Sequence, residues 1–113
     1  MKKIIVWVLA GMLSGPGLLL AKSAGGGEYD QGKRLYGDKC QLCHGKRGDG
    51  KGPAAVSLNP RPTDFTKPEF WEQSAVGKII TDTIREGHGP MPAFELKPDE
   101  IKAIIDYMSH TFK

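Results

Sequence analysis

Apolar residues recur at helical spacing in three parts of the chain. Ile101, Ile104, Ile105, Met108 and Phe112 form one stripe that runs almost to the last residue. That stretch opens at Pro98, whose missing N–H is harmless at the first helical position, and places Asp99 and Glu100 in the first turn, where the helix dipole favours them. Leu96 and Ile101 are spaced as a hydrophobic staple across this start. Upstream, Val76, Ile79, Ile80, Thr83 and Ile84 predict a helix from Ser74 or Ala75 to Glu86, stopped by Gly87 and weakened locally by Gly77. A shorter helix is predicted over 30–39, capped by Asp30, with Leu35 and Tyr36 as its apolar face. Gly32 lies one turn before Tyr36 on that face. Glycine costs a helix stability, so its presence there reads as the close approach of another helix. A single helical turn is expected over 69–71, after Pro68.

The segments between these helices are irregular. Gly45, Gly48, Gly50 and Gly52 stand among the charged residues Lys46, Arg47, Asp49 and Lys51, which makes a loop that turns several times. It follows no predicted strand and lacks a Gly-Lys-Ser or Gly-Lys-Thr ending, so it does not read as a phosphate loop. Residues 53–68 carry Pro60, Pro62 and Pro68, and residues 88–96 carry Pro90 and Pro92. Irregular segments of this length inside a small domain are usually functional. No alternating run is long enough for a sheet and no internal repeat is present, so the fold class is all-α.

The N-terminal part has a different character. Lys2 and Lys3 precede an apolar run over 4–21, broken once by Ser14-Gly15-Pro16-Gly17, and small residues follow at Ser23 and Ala24. This is the layout of an export signal over 1–24, with cleavage after Ser23 fitting the small-x-small rule best. The alternative is a retained membrane anchor, since 4–21 is close to the lower length for a span. Residues 25–29, with Gly25-Gly26-Gly27, form a flexible lead-in, and 30–113 the folded domain. Lys2, Lys3 and Lys22 account for the whole formal surplus of +3. The remaining domain is balanced in charge, which removes the electrostatic case for nucleic acid or anionic lipid as a partner.

A domain of roughly 90 residues has a marginal core of its own and gains from a buried cofactor. The chemistry for one is present. Cys40-Gln41-Leu42-Cys43-His44 has the spacing of a covalent attachment site for a c-type haem, with both thiols on one helical turn and an imidazole beside them. Other uses of the same residues are a dithiol redox pair or half of a zinc site, though the chain has no second metal-binding pair to complete the latter. With His44 as one axial ligand, candidates for the other are Met91, His88, Met108 and His110. Met108 belongs to the apolar stripe and His110 to the chain's end. Met91 is held in Gly89-Pro90-Met91-Pro92, where two prolines fix the backbone and no helix explains the side chain. His88 and an open position remain the alternatives to it.

Taken together, these features resemble a small class I cytochrome c of the bacterial single-haem kind, over nearly all of 30–112. The resemblance implies about three to five helices around one covalently attached haem c, with irregular loops wrapping it. It matches Gly32 and Tyr36 to one side of the crossing between first and last helices, and Ile104 and Tyr107 to the other. It assigns the Pro53 carbonyl, after Gly52, to the proton of the His44 ring, and Leu58 to the cover of the haem. Met91, Pro92 and Phe94 match the ligand loop, with His44 and Met91 on the iron. The segment 59–65, with Arg61, and Trp71 match positions near the haem propionates in some members of that family; the alternatives are a solvated surface arginine and an indole that only packs. The implied function is one-electron shuttling between redox proteins in the periplasm or another exported compartment, without enzyme activity and as a monomer. The alternatives are a haem enzyme or gas sensor with an open iron position, and a haem subunit of a membrane oxidoreductase. Membrane association is expected only through an uncleaved N-terminus.

Overall fold

A computed structural model describes residues 27–113, together with Gly11. The expected export segment over 1–24, its cleavage point and Gly25-Gly26 therefore lie outside the described residues, Gly11 excepted. Among the described residues there are five α-helices: α1 (Glu28–Lys39), α2 (Gln41–His44), α3 (Pro68–Trp71), α4 (Val76–Glu86) and α5 (Pro98–Phe112), with one 3-10 turn over Ala55–Ser57. No helix among them is long and apolar enough to cross a membrane. The only β-type pairing among them is an isolated bridge between His88 and Met91.

α1 begins at Glu28 rather than at Asp30, and its cap residue is Gly27, with no side chain capping it. Glu28 and Tyr29 thus belong to the helix and not to a flexible lead-in. Contacts with α5 explain the extra turn. Glu28 pairs with Lys102 at 2.7 Å, and the Tyr29 ring lies 5.3 Å from that of Tyr107. Glu28 and Asp30 also sit in the first turn, where the dipole favours carboxylates.

The two long terminal helices cross at Gly32. A side chain there would overlap the Ala103 backbone and press on Tyr107, so only glycine lets the helices approach this closely. Tyr36, Ile101 and Ile104 are the largest fully buried side chains, and all three lie at this crossing or beside it. The Tyr36 ring packs on Tyr107 and Phe112 at centroid distances of 5.5 and 5.2 Å. Its hydroxyl donates to the Gly45 carbonyl at 2.7 Å, which ties the crossing to the end of α2. Of the α5 stripe, Ile101, Ile104, Met108 and Phe112 are buried and Ile105 is half-buried; Ala103 and Tyr107, which that spacing does not single out, are buried with them.

α4 starts one residue after the later of the two expected positions, following Ala75 in the left-handed region, and ends at Glu86 with Gly87 as its stop, as its sequence predicts. Ile80 and Ile84 are buried, whereas Ile79 is 40% exposed. A Cβ on Gly87 would come within 2.8 Å of the Met91 carbonyl and 2.9 Å of the Ala93 nitrogen. The helix stop therefore doubles as the floor on which the next loop folds.

Candidate cofactor site

α1 ends as the Cys40 N–H bonds the Tyr36 carbonyl, and the chain re-enters a single helical turn in which His44 N–H bonds Cys40 O at 2.9 Å. Positions three and four apart on a helix share a face, so Cys40, Cys43 and His44 are presented together. All three face a cavity of about 740 Å³, well within the range of cofactor sites. Leu42 also borders the cavity but is 63% exposed. The cavity's other walls are largely apolar: Leu58, Pro60, Pro62 and Phe65 from the long irregular segment, Ile79, Ile80 and Ile84 from α4, and Ile104 and Met108 from α5. The loop after α4 closes it with His88, Pro90, Met91, Pro92 and Phe94.

His44 is buried, and its Nδ1 lies 3.1 Å from the Thr63 carbonyl. A carbonyl can only accept, so Nδ1 carries the proton and Nε2 keeps its lone pair for a metal. Burial pushes the imidazole pKa below its ordinary 6.5, the Thr63 bond pulling more weakly the other way. The net lowering suits a neutral ligand. The ring is stacked on Phe65 at 4.5 Å and 22°.

Burial pushes the Cys40 thiol up to about 12. A dithiol redox centre needs a thiolate near neutral pH, so this environment argues against that use. No cluster of three or more His, Cys, Asp or Glu suited to a metal ion occurs among the described residues. The half-zinc reading thus finds no other half there. Two thiols and an imidazole on one turn, opening on an apolar cavity of this size, do fit a covalently attached haem.

Met91 lines the same cavity from the opposite loop. Residues 88–91 close a tight turn in which the backbones of His88 and Met91 exchange two hydrogen bonds of 2.9 Å each. The Phe94 N–H then bonds the Ile84 carbonyl at 2.8 Å and returns the loop to α4. Met108 also reaches the cavity but is packed in the core at 2% exposure. His110 is exposed, with Nδ1 2.8 Å from the Asp106 carbonyl, and takes no part in the cavity lining.

Leu58 and Arg61 line the cavity; Pro53 and Trp71 do not. Pro53 is exposed, and the carbonyl at the His44 ring is that of Thr63. The reason is the path of the chain: Gly52 N–H bonds Cys43 O at 3.0 Å and Ala54 N–H bonds Leu42 O at 3.0 Å, holding this stretch against the backbone of α2. Trp71 is buried, and its indole N–H donates to the Phe65 carbonyl at 2.8 Å, leaving no donor for a propionate. Thr63 and Phe65 fall in the segment that the resemblance places near the propionates, but their contacts with the His44 ring are not foreseen by the sequence. No side-chain signal marks the direction of the Thr63 carbonyl. Phe65 is the single aromatic in the proline-rich stretch over 53–68, a signal that could have marked it.

The family described as cytochrome c oxidase, cbb3-type, subunit III matches residues 27–108. The chain is 30% identical over 79 residues to cytochrome c6 of Euglena gracilis, covering 68% of this chain and 85% of that protein. It is 25% identical over 85 residues to a cytochrome c-553-like protein of Synechocystis sp., covering 73% of this chain and 68% of the relative.

Proposed function

Because the chain belongs to this family of small class I c-type cytochromes, whose haem c is attached here through Cys40 and Cys43, we propose that it is a one-electron carrier with His44 and Met91 as axial ligands. The observation that carries the ligand assignment is the single apolar cavity onto which the turn bearing Cys40, Cys43 and His44 and the loop bearing Met91 both open. When bound, the haem supplies a one-electron couple at its iron, and a His/Met pair favours the softer reduced state.

The protein's own residues do the rest. Thr63 holds the Nδ1 proton of His44 and so fixes the ring's tautomer. The hydrogen-bonded turn over 88–91 and the prolines at 90 and 92 keep Met91 in place in both oxidation states. Leu58 and the isoleucines of α4 keep water from the cavity. Arg61, which lines the cavity and is exposed, would pair with a haem propionate. Two protein ligands leave no position for a substrate, so the protein is a carrier and not an enzyme.

Its partners are redox proteins that donate and accept the electron in a brief contact at the low end of interface sizes. The compartment is the periplasm or an equivalent exported space, in keeping with Lys2, Lys3 and the apolar run after them. The domain acts as a monomer, tethered to the membrane only where the N-terminus is retained.

Intact mass of the purified protein, together with its spectra, tests this reading. One covalent haem, a weak sulfur-to-iron band at the red end of the oxidised spectrum and no rapid carbon monoxide binding by the reduced form are expected. Rapid carbon monoxide binding would overturn the carrier in favour of an open-iron enzyme or sensor. The family's description as an oxidase subunit favours a second reading, a haem subunit of a membrane oxidoreductase. Isolation from membranes in a fixed stoichiometric complex would establish it.

A further inference from the structure

Phe65 is pinned on both sides of its backbone. Its N–H donates to Gly48 O at 2.6 Å, and its carbonyl accepts the Trp71 indole N–H at 2.8 Å. Its ring is held as well, by Phe70 at 5.0 Å and 59° and by Phe112 at 6.4 Å and 16°. The face of that ring lies on the His44 imidazole, near parallel at 22°. Two residues earlier on the same strand of chain, the Thr63 carbonyl takes the Nδ1 proton of that imidazole. One short segment, 63–65, therefore holds His44 by its edge and by its face.

These two contacts fix different freedoms of the ring. The edge bond sets where Nδ1 lies and how much charge the ring draws from its proton. The stack sets the plane of the ring. Both depend on where segment 63–65 sits, and Trp71 is its anchor from α3. A buried indole N–H must find an acceptor, and here it takes the carbonyl of the residue stacked on His44. We infer that Trp71 is a positioning residue: by fixing the Phe65 carbonyl it sets the plane of the His44 ring and the strength of its bond to Thr63. The inference rests on His44 being an iron ligand.

Loss of the indole N–H leaves the Phe65 carbonyl without its partner and removes one of the two backbone holds on the segment, the Gly48 bond remaining. The Thr63 bond then weakens and His44 becomes a poorer donor to the iron, which destabilises the oxidised state more than the reduced one. The direction follows: the reduction potential rises.

The test uses the haem-bearing protein and three variants. Trp71→Phe keeps a ring and removes the donor, Phe65→Leu removes the stack and keeps the backbone bonds, and Ile101→Val loosens the core away from the cavity. Trp71→Phe should raise the midpoint potential and redistribute the paramagnetically shifted haem methyl resonances, which report the plane of the axial imidazole. Phe65→Leu should redistribute the methyls with a smaller change in potential. Ile101→Val should lose stability with neither change. If Trp71→Phe is merely less stable, with the potential and methyl pattern of Ile101→Val, the inference is overturned. Should Trp71→Phe fail to fold, an unchanged methyl pattern in Phe65→Leu overturns it equally. Failure of the ligand reading looks different: the unmodified oxidised protein would then show no shifted ring resonances from His44.

Discussion

Gly32 of α1 lies directly against the Ala103 carbonyl of α5, with no room between them for a methyl group. The clash of a Cβ there is with backbone, which cannot rotate away, and the next contact is Tyr107 Cβ at 2.9 Å. In an isolated helix Gly32→Ala would gain up to about 1 kcal/mol. Here overpacking costs about 1–3 kcal/mol or more, so the crossing decides the sign. Denaturant unfolding of the haem-bearing Gly32→Ala variant should show a net loss of stability. Wild-type stability would mean that the helices can separate at this point without cost.

The Tyr36 phenol is buried next to that crossing and donates to the Gly45 carbonyl. Burial raises its pKa above the ordinary 10. Below pH 10 folded and unfolded chains both keep the proton, and the contribution of the buried phenol to stability is fully present. Above pH 10 the unfolded chain releases the proton first, so the contribution is lost as pH rises toward the raised folded value. Tyr36→Phe removes this linkage and the phenol's bond to the Gly45 carbonyl, which keeps the Gly48 N–H at 3.0 Å, at a cost of about 0.5–1.5 kcal/mol near neutral pH. The stability gap between wild type and Tyr36→Phe should be flat from about pH 7 to 9 and close above about pH 10. A gap that stays constant to about pH 11 would contradict the burial argument.

The features legible in the sequence were those written in side chains. The α5 stripe, the Gly87 stop, the shared face of Cys40, Cys43 and His44, and Met91 between prolines all follow from residue type and spacing. What escaped was set by backbone paths and distant contacts. The carbonyl at His44 belongs to Thr63 rather than Pro53 because the loop between His44 and Pro53 turns through Gly45, Gly48 and Gly50, all at positive φ. A Cβ on Gly50 would reach the Pro62 carbonyl at 2.6 Å, so that glycine lets the segment come in behind α2. The start of α1 was displaced from Asp30 to Glu28 by partners that lie some seventy residues away in α5. Ile79 fits the helical stripe of α4 yet stays 40% exposed in the protein alone, because the cavity it lines lies on that face.

Arg61 lines the cavity and is solvent-exposed, so its pairing with a propionate belongs to the range of surface ion pairs, about 0.2–1 kcal/mol. A nearby positive charge favours the reduced, less positive iron. Removing it should lower the potential, by an amount set by the difference in its interaction with oxidised and reduced iron rather than by the whole pair energy. Arg61→Gln, titrated at low salt, should show this decrease, and the difference should shrink as salt screens the pair. A potential that does not move at low salt would leave Arg61 as a solvated surface residue.

The sharpest separation of roles is between Met91 and His88, which line the same cavity from the same turn. Their backbones hold each other by two hydrogen bonds, so either side chain can be cut back to Ala without unmaking the turn. With Met91 as the ligand, Met91→Ala removes the sulfur-to-iron band and lets the reduced protein bind carbon monoxide. It also lowers the potential, because the thioether that favoured reduced iron is gone. His88→Ala should keep the band, resist carbon monoxide and leave the potential nearly unchanged. The reverse pattern, with the effects following His88, would assign the ligand to the imidazole and move the expected potential down for the native protein. Should neither variant change the spectrum, the sixth ligand would have to come from elsewhere on the cavity wall. Met108 is the remaining thioether there, and it can reach the iron only by leaving the packed core that holds it at 2% exposure.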